Sequence, residues 1–391
     1  MVRVLTGGVL MLAVAMGVGR FAYTPILPAM QAATGLGGDG AGLLASLNYL
    51  GYLAGALGAG LVPHGAVRTT VFRAALVASV ATTAAMGLTA DFLLWSVLRF
   101  ASGVASAGVF ILGIAMVLDA LSRAGRDALA GWLYSGVGLG IAGSGLFVAL
   151  FGGRLGWDGD WLALGALCAL LAVPVWLSVR EPAGAHAPAA KAGGGGRMSA
   201  PLVLLTIAYF LEGGGYIVTG TFLVAMLKQM PDTTAVGEAA WMVAGLAAMP
   251  AGLAWAAAGR RLGLWRTLIL AHLLQAVGIL LPLAGGPIPA LVSAALFGAT
   301  FLGIVTLTLG LGRTLSAGGS ARVIGALTSA YGLGQILGPL PAGIAVARTG
   351  SFDTALFGAA AAVLLGTLVL AAGAVLARRA EDALRDGAAA D

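Results

Sequence analysis

The chain has 391 residues, of which 60% are hydrophobic and only 9% are charged, and its formal net charge is +6. Because a soluble domain carries roughly 25% charged residues, this composition excludes an ordinary water-soluble protein. The apolar stretches are long and do not alternate with polar residues, which favours membrane-spanning helices over a closed barrel. With a single cysteine, Cys168, and three scattered histidines there is neither a disulfide framework nor a metal-binding pattern, so we expect no metal and no cofactor.

About 20 apolar residues cross the hydrocarbon core of a bilayer. By that measure the sequence predicts twelve spans, near residues 5–30, 41–61, 70–89, 92–118, 128–151, 161–179, 201–227, 239–258, 267–284, 287–311, 323–346 and 354–377. The first span begins like a signal peptide, with Arg3 ahead of an apolar run. Because that run continues to about Met30, we interpret it as an uncleaved first helix.

Lysine and arginine residues are distributed unevenly over the loops between these spans. Sixteen of the 21 lie on the side of the two termini, and three, Arg154, Lys228 and Arg348, lie on the opposite side. Since cytoplasmic loops carry the excess of basic residues, we predict an inner-membrane protein with both termini in the cytoplasm. The same distribution accounts for the positive net charge, so we expect no nucleic-acid partner.

The longest polar interruption, residues 180–200, is rich in Ala, Gly and Pro and lies at the middle of the chain. It predicts a cytoplasmic linker between two six-helix bundles, residues 1–179 and 201–378, followed by a cytoplasmic tail at 379–391. Weak internal repeats support this division. Matched glycines in three pairs of spans are separated by 194, 195 and 196 residues: Gly140 and Gly334, Gly103 and Gly298, Gly17 and Gly213.

Several short segments carry a resemblance to a known family. The first span contains residues 17–28, Gly-Val-Gly-Arg-Phe-Ala-Tyr-Thr-Pro-Ile-Leu-Pro, the seventh contains the Glu-Gly-Gly-Gly-Tyr run at 212–216, and the fourth contains Arg-Phe-Ala-Ser-Gly at 99–103. Together with the two six-helix halves, these segments resemble the major facilitator superfamily and, within it, the YbfB/YjiJ branch. The loop at 63–68 departs from the superfamily pattern, because it lacks the usual aspartate.

The resemblance implies an all-α integral membrane fold of twelve transmembrane helices in two pseudo-symmetric bundles, with the first and seventh helices facing each other across a central cavity. It also links the arginine of the fourth-span segment, Arg99, to proton coupling. The alternative for Arg99 is that it only binds backbone carbonyl groups of neighbouring helices.

Three ionisable residues, Arg20, Arg99 and Glu212, lie well inside the predicted spans. A charge near the bilayer centre costs about 2.5–3.5 kcal/mol on insertion scales, so each needs a partner, a cavity or a substrate. By the repeat offset Glu212 matches Met16, one turn from Arg20, and we therefore predict an Arg20–Glu212 pair, direct or through substrate. In the functional interpretation Glu212 accepts a proton and Arg20 holds an anionic group. The alternative is a permanent ion pair that fixes helix packing.

Polar and aromatic residues near these charges are candidates for substrate binding. Asn48 and Tyr52 share one face of the second helix, because they are four residues apart, as Tyr331 and Gln335 do on the eleventh. Tyr23 and Tyr216 flank the charged positions. Such groups suit a mixed aromatic and polar cavity. Taken singly, each could also serve in hydrogen bonding between helices.

The sequence thus predicts a monomeric secondary transporter, embedded in the lipid bilayer, that moves a small molecule by alternating access and is coupled to protons. With one glutamate and two arginines the membrane interior is close to +1, which favours a small organic anion or zwitterion. A sugar or drug transporter remains an alternative, as does a receptor or scaffold on the same fold that transports nothing. An enzyme is disfavoured, since no Ser/His or His-rich constellation is present.

Overall fold

The computed structural model of the chain describes residues 1–126, 129–181, 198–316 and 320–390. Most of the predicted linker, residues 182–197, lies outside this described part, as does the last residue of the predicted tail. The described residues are almost entirely helical and contain no strand. This agrees with the prediction of an all-α membrane protein.

The first half of the chain forms seven α-helices. They are α1 Val2–Leu12, α2 Tyr23–Thr34, α3 Gly38–Ala59, α4 Ala66–Ala85, α5 Phe92–Arg123, α6 Ala130–Leu133 and α7 Ser135–Ser178. A π-helical segment, Ala13–Val18, follows α1, and a 3₁₀ turn, Met86–Leu88, follows α4.

The second half also forms seven α-helices. They are α8 Ala200–Gln229, α9 Gly237–Leu262, α10 Leu264–Leu280, α11 Pro287–Thr314, α12 Ser320–Leu337, α13 Pro339–Thr349 and α14 Asp353–Ala390. Two 3₁₀ turns, Pro231–Val236 and Leu281–Ala284, connect helices in this half.

Ten helical stretches of the described residues are long and apolar enough to cross a membrane. The difference from the twelve predicted spans has two sources. The stretch Ala130–Ser178 contains both the fifth and the sixth predicted spans, and α3, which matches the second, is not among the ten because its glycine and polar residues lower its hydropathy. Twelve spans in two bundles therefore remain a prediction.

Glycine and proline account for two of the breaks in these helices. Gly156, inside α7, has φ of 73° and ψ of 169°, a backbone conformation that other residues rarely adopt. It separates the two parts of α7 that match the fifth and sixth predicted spans. Pro339, the first residue of α13, cannot donate a backbone hydrogen bond, and α12 ends just before it.

Matched glycines bring helices of both halves into contact in the same way. A Cβ atom on Gly103 would overlap the carbonyl oxygen of Asn48, and one on Gly298 would overlap the carbonyl oxygen of Ala244. The first contact packs α5 on α3, and the second packs α11 on α9. Gly103 and Gly298 are a pair identified from the repeat, so the two halves share this helix contact.

The two halves also contact each other. Helix α7 packs on α9, α2 on α8, and α3 on both α12 and α13. At the end of the molecule opposite the N-terminus, Gly38 and Gly343 approach so closely that a Cβ atom on either would overlap the other's carbonyl oxygen. Thr24 on α2 donates a hydrogen bond to the carbonyl oxygen of Gly220 on α8. These contacts hold the halves together at that end.

Candidate functional site

A break in the first membrane helix positions Arg20. The π-helical segment Ala13–Val18 ends in a turn before α2, and the amide of Gly19 donates to the carbonyl oxygen of Val14, five residues earlier. Such π-bulges are rare and occur frequently at functional sites. Arg20 lies in the turn after the bulge, and it is only 3% exposed.

Aromatic rings and one amide surround the Arg20 side chain. Its guanidinium carbon lies 4.5 Å from the ring centroids of both Tyr49 and Tyr52 on α3. Its Nη2 donates a hydrogen bond of 2.9 Å to Oε1 of Gln335 on α12. Ring faces attract cations, but they carry no negative charge. Within the described residues no carboxylate lies within ion-pair distance of Arg20, so its charge is buried and not neutralised.

Gln335 connects Arg20 to a stack of aromatic rings in the second half. Its Nε2 donates a hydrogen bond to the hydroxyl of Tyr216 on α8. The Tyr216 ring lies nearly parallel to that of Tyr331, with centroids 5.5 Å apart, and Tyr331 stacks on Tyr209 at 4.3 Å. Tyr216 is also nearly parallel to Phe301, with centroids 6.0 Å apart. The result is a column of parallel rings beside a buried cation.

Glu212 lies on α8, one turn before Tyr216, and is completely buried. Neither of its carboxylate oxygens has a hydrogen-bond partner among the described residues, and no ion pair is formed there. The side chain of Gln275 on α10 is the polar group that faces the carboxyl. The direct Arg20–Glu212 pair is therefore absent from this structure, because Arg20 is bonded to Gln335 instead.

Arg99 belongs to a second cluster within the first half. Its guanidinium lies 4.6 Å from the ring centroid of Tyr23, and its Nε donates to the carbonyl oxygen of Leu44 at 3.4 Å. The side-chain amide of Asn48 donates a hydrogen bond of 2.9 Å to the backbone oxygen of Arg99. The hydroxyl of Tyr23 donates one of 3.0 Å to the backbone oxygen of Ala41. These contacts agree with the carbonyl-binding alternative for Arg99, and its link to proton coupling stays a prediction.

The structure thus divides the predicted site residues into two groups. Five of the nine converge on the ring column or contact it: Arg20, Tyr52, Tyr216, Tyr331 and Gln335. Three form the cluster around Arg99, and Glu212 lies beside the column.

Sequence reasoning missed four residues of interest. Tyr49 is three residues before Tyr52 on the same helix face, so the spacing could have found it. Phe301 and Gln275 had no signal in a single sequence, since only helix packing brings them to the site. Asp160 on α7 is completely buried with both oxygens unpartnered, and it fell one residue outside the predicted sixth span. In the described part of the chain, no three His, Cys, Asp or Glu residues are placed to hold a metal ion.

Comparisons with solved structures show what fold the chain adopts. The structure of nucleoside transporter NupG has a TM-score of 0.72 at 14% sequence identity, covering 95% of this chain and 99% of that chain. A single-site mutant of NupG gives 0.77 at 15% identity, covering 94% and 99%. A bacterial homologue of the human lysosomal transporter Spinster, in an inward-facing and unoccupied conformation, gives 0.67 at 18%, covering 95% of each chain.

At these identities the similarity shows a shared fold and nothing about substrate. A search of curated proteins finds no match. The family comparison is specific, because the family described as "Uncharacterised MFS-type transporter YbfB" matches residues 12–371. That match includes the π-helical segment, Arg20, Arg99 and Glu212, and extends into the last helix. The chain belongs to this family of MFS-type membrane transporters.

Proposed function

We propose that the protein is a secondary active transporter that moves a small organic anion or zwitterion across the inner membrane by alternating access, coupled to protons. One observation carries the proposal. Arg20 and Glu212 are both buried, yet among the described residues neither forms an ion pair, and the only polar group that we find facing the acid is the neutral side chain of Gln275. An uncompensated charge in the membrane interior costs about 2.5–3.5 kcal/mol, so each residue lacks the stabilisation that a bound ion or proton would supply.

For Arg20 the missing partner would be an anionic group of the substrate. The guanidinium is held by Tyr49 and Tyr52 and by one hydrogen bond to Gln335, and its Nε is buried without a partner. A carboxylate could accept from the guanidinium at two positions, which an amide oxygen does not do. The tyrosine rings would keep the planar guanidinium oriented while substrate enters and leaves.

For Glu212 the missing partner would be a proton. Removing water disfavours the ionised form of a carboxyl, and this carboxyl has no cation within ion-pair distance to offset that effect. Gln275 can serve both forms, since its amide accepts a hydrogen bond from a protonated acid and donates one to an ionised acid. Access to water on one side and then the other would load and release the proton.

The wider arrangement belongs to the same proposal. It has twelve spans in two bundles, residues 1–179 and 201–378, joined by a cytoplasmic linker at 180–200, with both termini cytoplasmic and the tail at 379–391. The bundles would rock around a midplane site in a monomer. Contacts such as that between Gly38 and Gly343 would have to open in each cycle.

Uptake into proteoliposomes tests the proposal. Benzoate, phenylalanine, uridine and glucose serve as probes of the anionic, zwitterionic, nucleoside and sugar classes, each with and without an imposed pH gradient. We expect the gradient to drive uptake of an anion or zwitterion by the wild type. Glu212→Gln should abolish the response to pH while leaving exchange across the membrane intact, because exchange needs no net proton transfer.

Asp160→Asn is the matched control, since Asp160 is also a buried carboxyl whose two oxygens lack a hydrogen-bond partner among the described residues. It should retain pH-driven uptake. Normal pH-driven uptake by Glu212→Gln would contradict proton coupling at this residue. If only Asp160→Asn lost the response, the coupling site would have to be moved to Asp160.

A second candidate is a transporter of neutral planar solutes such as nucleosides, the class named for one structural neighbour. The observation that favours it is the ring column, in which Tyr216 and Tyr331 are inclined by only 8° and could stack against a flat base. Uridine uptake that persists in Arg20→Ala would support this candidate. Loss of benzoate uptake in the same variant would support the anion.

A further inference from the structure

A cavity lies away from this site, at the end of the molecule that carries the N-terminus. It has a volume of about 860 Å³, is open on one side, and is lined by the start of α1, the end of α5 and the end of α7. Its walls are mostly apolar and include Val4, Val117 and Leu177, and two arginines, Arg3 and Arg180, complete the lining. An apolar chamber with a basic rim is therefore present here.

The two arginines have no recorded partner among the described residues. Both are exposed, and neither forms an ion pair or hydrogen bond in the part of the chain that the structure describes. The acids nearby are engaged elsewhere. Glu181, the neighbour of Arg180, lies 3.4 Å from Arg68, and Asp119 lies 3.9 Å from the same arginine. The rim of the cavity therefore has a net positive charge.

The cavity lies at the level where the apolar spans end. One membrane-crossing stretch begins at Val2, next to Arg3, and another ends at Ser178, two residues before Arg180. Leu177, at the end of the stretch that finishes at Ser178, is 73% exposed, so apolar surface adjoins Arg180. Arginines at this depth lie level with lipid headgroups, and basic pockets between membrane helices are known to bind anionic headgroups.

We propose that this cavity binds an anionic phospholipid of the surrounding leaflet. Arg3 and Arg180 would bind the phosphate group, and the apolar wall formed by α1, α5 and α7 would hold an acyl chain. Charge complementarity selects this occupant: a zwitterionic lipid offers the same chain without net charge, and a free phosphate offers the charge without the chain. The site is separate from that of Arg20 and does not depend on which substrate is transported.

Binding of dioleoyl phosphatidylglycerol to delipidated protein in detergent tests the proposal, with dioleoyl phosphatidylcholine and glycerol phosphate as comparison ligands. Native mass spectrometry gives the affinities, and the thermal unfolding midpoint gives the stabilisation. We expect phosphatidylglycerol to bind more tightly than phosphatidylcholine. In the double variant Arg3→Gln/Arg180→Gln the affinity for phosphatidylglycerol should fall roughly thirty-fold. This is the combined loss expected when two basic residues near a membrane surface are removed.

The matched control is Arg260→Gln/Arg261→Gln, which removes two exposed arginines at the end of α9, away from the cavity. It should leave the affinity for phosphatidylglycerol within about two-fold of that of the wild type, which is less than the loss expected for one basic contact. Equal affinity for the two lipids, an unchanged affinity in the cavity variant, or equally tight binding of glycerol phosphate would each overturn the proposal. Photoactivatable phosphatidylglycerol on wild-type protein keeps it testable if the variant fails to fold. Crosslinks are expected in α1, α5 and α7, and crosslinks confined to other helices would refute it.

Discussion

The region around Arg20 and Arg99 in the first half differs from the region around Glu212 in the second. Each arginine lies over aromatic rings and donates a hydrogen bond, to Gln335 or to the carbonyl oxygen of Leu44. The carboxylate of Glu212, equally buried, has no such contact among the described residues. By the repeat offset the partner of Arg20 in the second half is Tyr216, so equivalent positions carry a cation in one half and a ring in the other.

The two regions differ in whether their contacts stabilise a permanent charge or leave an ionisable group free to change its charge. A guanidinium stays charged under all physiological conditions, so rings and carbonyl groups that stabilise it permanently serve its function. A carboxyl that must gain and lose a proton is better served by few fixed partners, because strong partners would favour one form. In the function proposed above, the first half would bind the anion and the second would transfer the proton.

Replacing Arg20 should produce the largest effect on this contrast. In Arg20→Ala we expect the affinity for the transported solute to fall at least about thirty-fold, because removing one partner of a buried charged contact costs 2 kcal/mol or more. Arg20→Lys should retain part of the affinity, since it keeps the charge but loses the planar group that stacks on Tyr49 and Tyr52. Isothermal titration with the solute found in the uptake screen provides the measurement. An unchanged affinity in Arg20→Ala would remove Arg20 from the binding site.

Replacing Arg99 should instead lower the stability of the protein and leave its affinity for the solute nearly unchanged. Arg99→Gln removes a charged hydrogen bond to Leu44 and the contact with Tyr23, so we expect the protein to lose about 1.5–3 kcal/mol of unfolding free energy. Solute affinity should change by less than about three-fold, which is under 1 kcal/mol. Unfolding in mixed detergent micelles measures the first quantity and titration the second. A large loss of affinity at unchanged stability would place Arg99 with Arg20 in function.

The glycine contacts offer a test of what the halves share. Gly103→Ala and Gly298→Ala should each destabilise the protein by about 1–3 kcal/mol, because the added methyl group overlaps a backbone oxygen that cannot move freely. Gly143→Ala is the control, since no atom outside its own helix turn lies within 4 Å of the added carbon. It should be neutral or slightly stabilising. If only one of the two matched variants were destabilised, the sequence repeat would not correspond to equivalent helix packing in the two halves.

Gln335 should give the smallest effect on solute affinity, because its uncharged side chain would act on the solute only indirectly, by orienting Arg20. In Gln335→Leu the connection between Arg20 and Tyr216 is lost, and a hydrogen bond of about 1 kcal/mol corresponds to a roughly five-fold weaker solute affinity. Gln275→Leu is the matched control, since it removes the other buried glutamine of the second half, which faces Glu212 rather than Arg20. Its affinity should stay within about two-fold of wild type. Equal losses in both variants would argue against a specific role for Gln335.

The sequence predicted much of the fold because helix formation in a bilayer depends on local apolar length. Segment lengths located nearly every helix, and the offset between glycines anticipated the matched contacts of Gly103 and Gly298. It also placed a break between the fifth and sixth spans, where Gly156 lies, but it could not predict the π-helical segment, since a glycine inside an apolar run is compatible with both a continuous and a bent helix.

The candidate site was predictable in its composition but not in its pairings. Arg20, Tyr216 and Gln335 were identified from type and position. The choice of Gln335 over Glu212 as the partner of Arg20 depends on how each helix is rotated, which local sequence does not specify. Tyr23 and Asn48 were grouped with Arg20 as cavity candidates, whereas helix packing places both against Arg99.

The close approach of Gly38 and Gly343 also makes opening measurable by spectroscopy. No side chain stands between the two helices there, so any separation of the halves changes the distance between their backbones directly. The only cysteine of the chain, Cys168, is completely buried, and introduced thiols would therefore be labelled against little background. Spin labels could be placed on neighbouring exposed positions such as Asp39 and Arg348. The distances measured between the two labels would then give the fractions of open and closed molecules.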